Sequence, residues 1–199
     1  MAFNLRKFNT EADYSAATLS HPAVSWIVSA GTVVYDKTEP VVADDKVIMA
    51  FTSANAGDDI VLYDENVLES PFTSITVNGD AVDPIVSTLE GASEASTYYL
   101  VEYGFEGTDI PEAFNTTIGI DTEIDLLIPE QIEEVAYLPS NQITNLVFKG
   151  ATPPTNLLMS SSVYYIYVPD DAIEDYGNAG WYIAEAMRPL SQYSGNLPV

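Results

Sequence analysis

Three short apolar cores recur in the C-terminal half at a fixed distance: Leu126-Leu127-Ile128-Pro129, Leu146-Val147-Phe148-Lys149 and Ile166-Tyr167-Val168-Pro169, with starts 20 residues apart. A period near 20 with one strand per repeat lies at the short end of leucine-rich-repeat geometry, where no rung buries its own apolar side chains and neighbours must stack. The spacing predicts parallel rungs that share one ladder of Leu126, Leu146 and Ile166 and another of Ile128, Phe148 and Val168. So short a solenoid needs caps. The C-terminal cap reads as a helix starting at Pro169, with Asp170, Asp171 and Glu174 in its first turns, then Gly177-Asn178-Ala179-Gly180 as a break before residues 181–187. Residues 105–199 are therefore read as a degenerate leucine-rich-repeat-like β-solenoid with C-terminal helices.

Residues 39–104 read as a small all-β unit. Strands are expected over 46–52 and 59–63 around Ala54-Asn55-Ala56-Gly57-Asp58, and over 97–103 as a Tyr-rich strand. Residues 74–77 meet 81–82 across Asn78-Gly79-Asp80, a strong hairpin signal. Ahead of this unit, Thr10 can cap a short helix with Glu11 and Asp13 in its first turn, closed by Ser20-His21-Pro22. Val24, Trp26 and Val28 then alternate, Ser29-Ala30-Gly31 turns, and 32–35 returns as the second strand of a hairpin. A helix and hairpin within residues 1–38 fall below the roughly 40-residue limit for folding without staples, so this segment is expected to dock on another surface. The overall fold class is mainly β with short helices.

Composition narrows the chemistry. Thirty acids against six bases give a formal charge of −24, which repels phosphate polyanions and leaves little Lys or Arg for counterion release, so nucleic acid and anionic lipid are poor partners. Without cysteine there are no disulfides, thiolate metal sites or Cys nucleophiles, and the single histidine, His21, rules out multi-His metal centres. His21 before Pro22 reads as a turn residue. Arg6 and Lys7 have no apolar stretch behind them of the kind a secretory signal carries, and no run approaches the roughly 18 apolar residues of a membrane helix. A soluble, acidic, non-enzymatic protein is expected.

The C-terminal run Ile143-Thr144-Asn145-Leu146-Val147-Phe148-Lys149-Gly150-Ala151-Thr152-Pro153-Pro154, followed by Ile166-Tyr167-Val168-Pro169, Ala172, Tyr176, Trp181, Tyr182 and Pro189-Leu190, resembles the closing unit of BspA-like leucine-rich-repeat proteins of Bacteroidales and their phages. Residues 74–83, the Tyr-Leu-Val-Glu-Tyr strand and Ile110-Pro111-Glu112-Ala113-Phe114 are similar to the β unit that often precedes such repeats. The opening Phe8-Asn9-Thr10-Glu11-Ala12-Asp13-Tyr14, with Pro22 to Ile27 and Val34-Tyr35-Asp36, is similar to N-terminal modules of virion proteins of crAss-like and other Bacteroides phages. The rungs here lack the usual Ala-Phe pair, so a long concave binding face does not carry over. The resemblance implies a phage structural or adhesive protein on the particle surface, made in the host cytoplasm.

Two groups of residues carry the remaining chemistry. Asp121, Glu123 and Asp125 alternate along an expected strand, which would place three carboxylates on one face with neighbours about 6.5–7 Å apart. Such a face could hold Ca²⁺, which takes hard oxygen ligands, or be a solvated face, the reading we favour because no EF-hand loop accompanies it. The pairs Asp44-Asp45, Asp58-Asp59 and Asp170-Asp171 read as turn and helix-start residues. Among thirteen tyrosines, alternation sends Tyr99 and Tyr103 to one side of their strand and Tyr98 to the other. Tyr14, Val24, Trp26 and Tyr35 are the docking candidates. The expected function is that of a virion component, a capsid decoration, head-fibre or tail-associated subunit. Its partners would be other virion proteins, many copies of itself and host-surface glycans. A BspA-like bacterial surface adhesin and a polysaccharide depolymerase using a carboxylate pair are the alternatives.

Overall fold

The structure, a computed structural model, describes residues 4–8, 10, 23–27, 32–36, 46–155, 162–180 and 186–199, and of the strands before residue 46 it describes the backbone pairing. The chain divides into two compact units, Met1–Ala43 and Asp44–Val199. In the first, β1 (Asn4–Phe8) runs parallel to β2 (Ala23–Ile27), and β2 pairs antiparallel with β3 (Thr32–Asp36). Val24 stands opposite Tyr35 and Trp26 opposite Val33. β1 is a strand the sequence reading did not expect. The helix expected after Thr10 and the turn at 29–31 lie outside the described residues.

The second unit is built on one eight-stranded sheet. Its strands are β4 (Val47–Thr52), β6 (Phe72–Val77), β7 (Asp80–Val82), β9 (Tyr98–Phe105), β10 (Ile124–Ile128), β11 (Ile143–Phe148), β12 (Val163–Val168) and β13 (Met187–Pro189), while β5 (Ile60–Val61) and β8 (Thr88–Leu89) form a separate small pair. The order across the sheet is β13-β12-β11-β10-β4-β9-β6-β7. From β13 to β10 all pairing is parallel, and from β10 through β4 to β7 it is antiparallel. β4 joins the halves, with Met49 opposite Leu126 on one side and Val101 on the other. The boundary expected between residues 104 and 105 thus falls inside one continuous sheet.

Within the parallel half, Leu126 pairs with Leu146 and Leu146 with Ile166, the alignment the 20-residue spacing predicts. All three side chains are at most 1% exposed, and each such burial is worth about 1.5–3 kcal/mol. The connecting segments form a second stack of isolated bridges, in which Glu134 bridges Asp109 and Thr155 in parallel; the Ile110 amide donates to the Glu134 carbonyl at 3.0 Å and the Val135 amide to the Thr155 carbonyl at 3.0 Å. The main core takes in Ile110, Ile132, Val135 and Leu138 from the connecting segments. It continues under the antiparallel half, where the rings of Phe72, Tyr103 and Phe114 meet pairwise with centroids 5.0–5.4 Å apart. Tyr103 is fully buried and satisfies its hydroxyl by donating to the Leu62 carbonyl at 2.9 Å.

Local chemistry sets the corners. Asn78 (φ 52°) and Gly79 (φ 88°) take the left-handed backbone that a two-residue hairpin between β6 and β7 requires. Gly119 (φ 71°) lies where a Cβ would sit 3.2 Å from the Phe51 ring, so the approach to β10 needs glycine twice over. Asn141, 4% exposed, accepts from the Ile118 amide at 2.8 Å and donates to the carbonyls of Ile120 and Thr122, holding residues 118–122 in an irregular path.

The C-terminal cap differs from its expected form. Residues 169–172 make a turn closed by the Ala172 amide on the Pro169 carbonyl, and the helix, α1 (Ile173–Asn178), starts only after it. Asp170 accepts instead from the distant Ser191 amide at 2.9 Å. The buried Tyr176 packs on Phe148 with centroids 5.6 Å apart and donates its hydroxyl to the Gly150 carbonyl at 2.8 Å, clipping α1 to β11 and the residues after it. Residues 181–185 of the second expected helical stretch lie outside the described residues, and Met187–Pro189 is extended, adding a fourth parallel strand with Met187 opposite Ile166. No helix among the described residues is long and apolar enough to cross a membrane.

Candidate functional site

The second face of the sheet differs from the first. Along β4, β9, β10, β11 and β12, alternation puts Ile48, Ala50, Leu100, Asp125, Leu127, Asn145, Val147, Tyr165 and Tyr167 on this side. The C-terminal segment crosses it: Leu197, 4% exposed, joins Ile48, Ala50, Leu127 and Val147 in a small core, with Leu190 and Tyr193 packed against them. The Tyr193 ring meets Tyr167 edge-on at 5.1 Å, and its hydroxyl accepts from the Leu197 amide at 3.1 Å. Beside this crossing the face stays open. There a groove of about 710 Å³ runs between Tyr98, the 50–52 end of β4, residues 121–125, Gln142, Thr144, Asn145 and the Asn196 of the tail.

Asp125 forms the groove's inner wall. Asn145, its neighbour in the parallel pairing, donates its side-chain amide at 2.7 Å, and the Tyr193 hydroxyl lies 3.4 Å from the other carboxylate oxygen. Burial pushes the Asp125 carboxyl above the usual carboxylate range, with these hydrogen bonds opposing the shift. Burial first and the Asp125 charge second push the Tyr98 phenol up, and burial does the same to Tyr193. Tyr98 is 37% exposed and donates its hydroxyl to the Asn196 carbonyl at 3.3 Å. Thr144 donates to Glu123 at 3.1 Å across the outer rim.

The three expected carboxylates therefore line one groove but do not form one strand face. β10 begins at Ile124, and the Asn141 amide holds the backbone before it, so Asp121 and Glu123 leave from an irregular segment and only Asp125 stands on the strand. Among the described residues no group of three or more His, Asp or Glu side chains gathers as a metal ion requires. The single strand face on which a Ca²⁺ site at Asp121, Glu123 and Asp125 would have depended is not formed. Asp58 accepts from the Asn55 side chain at 3.2 Å within its loop, whereas Asp59 accepts from the distant Gly91 amide at 2.6 Å and ties two loops together. Tyr14, His21, Asp44 and Asp45 lie outside the described residues, as do the side chains of Val24, Trp26 and Tyr35.

Of the tyrosines, Tyr99 and Tyr103 are buried at 6% and 0% while Tyr98 is exposed, the split that alternation predicts. Sequence reasoning missed Gln142, Asn145, Tyr193 and Asn196. For Asn145 the signal was present: the repeat that aligns Leu126, Leu146 and Ile166 also aligns the residue before each, so Asp125, Asn145 and Tyr165 stand in one row across three strands. Tyr193 and Asn196 reach the groove only because the tail doubles back, which no local pattern encodes. No protein-family model, curated protein or solved structure matches this chain.

Proposed function

We propose that the chain is a non-enzymatic virion structural subunit, a capsid decoration, head-fibre or tail-associated protein, that docks through its N-terminal unit and projects its acidic body. The observation carrying this reading is that charge and fold divide at the same place. Residues 1–43 hold three of the six bases against four acids, whereas residues 44–199 hold three bases against twenty-six acids. A body of net charge −23 repels its copies and most cellular surfaces, while the nearly neutral first unit presents little barrier to close approach. The N-terminal module's resemblance to phage virion proteins supports the same assignment. So does the body's resemblance to BspA-like units: we read its parallel strands and their second stack as a short degenerate solenoid, supported by the register of Leu126, Leu146 and Ile166. Symmetric particles would carry many copies.

The test is incorporation. The full chain should co-purify with particles, and a chain of residues 44–199 should be folded but absent from them. Full occupancy by the shortened chain would overturn docking through the first unit. Recovery of the full chain with the bacterial envelope, and not with particles, would replace the virion assignment with the adhesin one.

A further inference from the structure

We propose that the groove between Tyr98, Asp125 and Asn196 is a binding site for a neutral saccharide. The inference rests on reading the body as a displayed binding unit, and it concerns a part of the molecule that the docking argument does not use. Small-molecule sites span roughly 300–1,000 Å³, and at about 710 Å³ this groove falls among them. Its lining departs from the usual apolar one. Gln142, Thr144, Asn145, Thr52 and Asn196 bring amides and hydroxyls that both donate and accept, Tyr98 brings a partly exposed aromatic ring, and Asp121, Glu123 and Asp125 bring acceptors alone.

That set selects a class of ligand. A phosphate, sulfate or uronate would face three carboxylates and no Lys or Arg among the lining residues. A bare divalent cation would need converging carboxylates, and these do not converge. A hydroxyl-rich neutral ligand fits both halves of the lining, because each of its hydroxyls can donate to a carboxylate and accept from an amide, while an apolar ring face can lie on Tyr98. The inner wall is also preorganised. Asn145 and Tyr193 fix the Asp125 carboxylate, and the Leu197 anchor holds the tail that supplies Asn196.

The experiment screens the full chain against an array of neutral and acidic glycans, then titrates the best neutral hexasaccharide by calorimetry, with a hexauronate as comparison. Binding of a neutral glycan with Kd of about 1 mM or tighter is expected, together with weaker binding of the uronate. Tyr98→Ala and Gln142→Ala should each weaken binding about tenfold in chains that circular dichroism shows to be folded, and Tyr98→Phe, which keeps the ring, should bind within about threefold of the parent. No neutral glycan bound, a preference for the uronate, or binding indifferent to both alanine variants would overturn the site. Particle incorporation is scored on the same variants: loss of glycan binding with normal incorporation separates this site from the docking assignment, and shortening of a bound glycan would keep the site while overturning the non-enzymatic reading.

Discussion

Asp125 sits where two sheet neighbours and the returning tail converge, and its protonation links folding to pH. Because burial raises its pKa in the folded chain, the folded state holds this proton over a range where the unfolded state has released it. Stability from this group therefore falls as pH rises from the ordinary carboxylate value through the raised one. Glu102 runs the other way. The Lys46 ammonium at 2.7 Å lowers its pKa, so its contribution is present above the ordinary value and fades as pH falls through the lowered one. Asp125→Asn should accordingly gain stability relative to the parent at about pH 7, with the gain shrinking toward about pH 4, as urea unfolding at each pH would show. A pH-independent difference would contradict the assignment. The row of Asp125, Asn145 and Tyr165 was legible in the 20-residue repeat, but what fills it was not. Tyr193 and Asn196 come beside that row on a tail held by Leu197 packing on the second face, a contact between distant segments.

The parallel strands show why the ladder could be read and the strand boundaries could not. Leu126, Leu146 and Ile166 belong to the main core, whereas the residues after them, Leu127, Val147 and Tyr167, face the second cluster, so a shift by one residue would exchange the two faces of the sheet. Asp121 and Glu123 carry the same alternation as Asp125, yet Asn141 captures the backbone there with three hydrogen bonds and the strand starts only at Ile124. Likewise Met187–Pro189 completes the sheet as a strand because β12 offers it an open parallel edge, something a short window cannot show. Leu146→Ala, at the centre of the ladder and 0% exposed, should cost about 2–5 kcal/mol in urea unfolding. Ile85→Ala, at a site 78% exposed, should stay within about 0.5 kcal/mol. Similar losses at both positions would mean that the ladder does not carry the core.

At the scale of the whole molecule, the two units differ in how far each completes itself. In the body, two apolar clusters lie on opposite faces of one sheet, and among the described residues no buried side-chain polar atom lacks a partner. The first unit pairs three strands of five residues each within 43 residues, close to the roughly 40-residue size below which a chain needs staples, and it has no cysteine to supply one. Its opening helix was expected from the sequence and β1 was not, because a parallel partner for β2 arises from a strand far upstream and no turn signal marks the pairing. The proposed docking requires this unit to finish its interior on a foreign surface. Amide hydrogen exchange on the full chain, free in dilute solution and assembled on particles, tests it most directly. The amides of β2 and β3 should exchange far faster than those of β4 and β9 in the free chain and become protected on the particle. Equal protection of all four strands in the free monomer would contradict the claim.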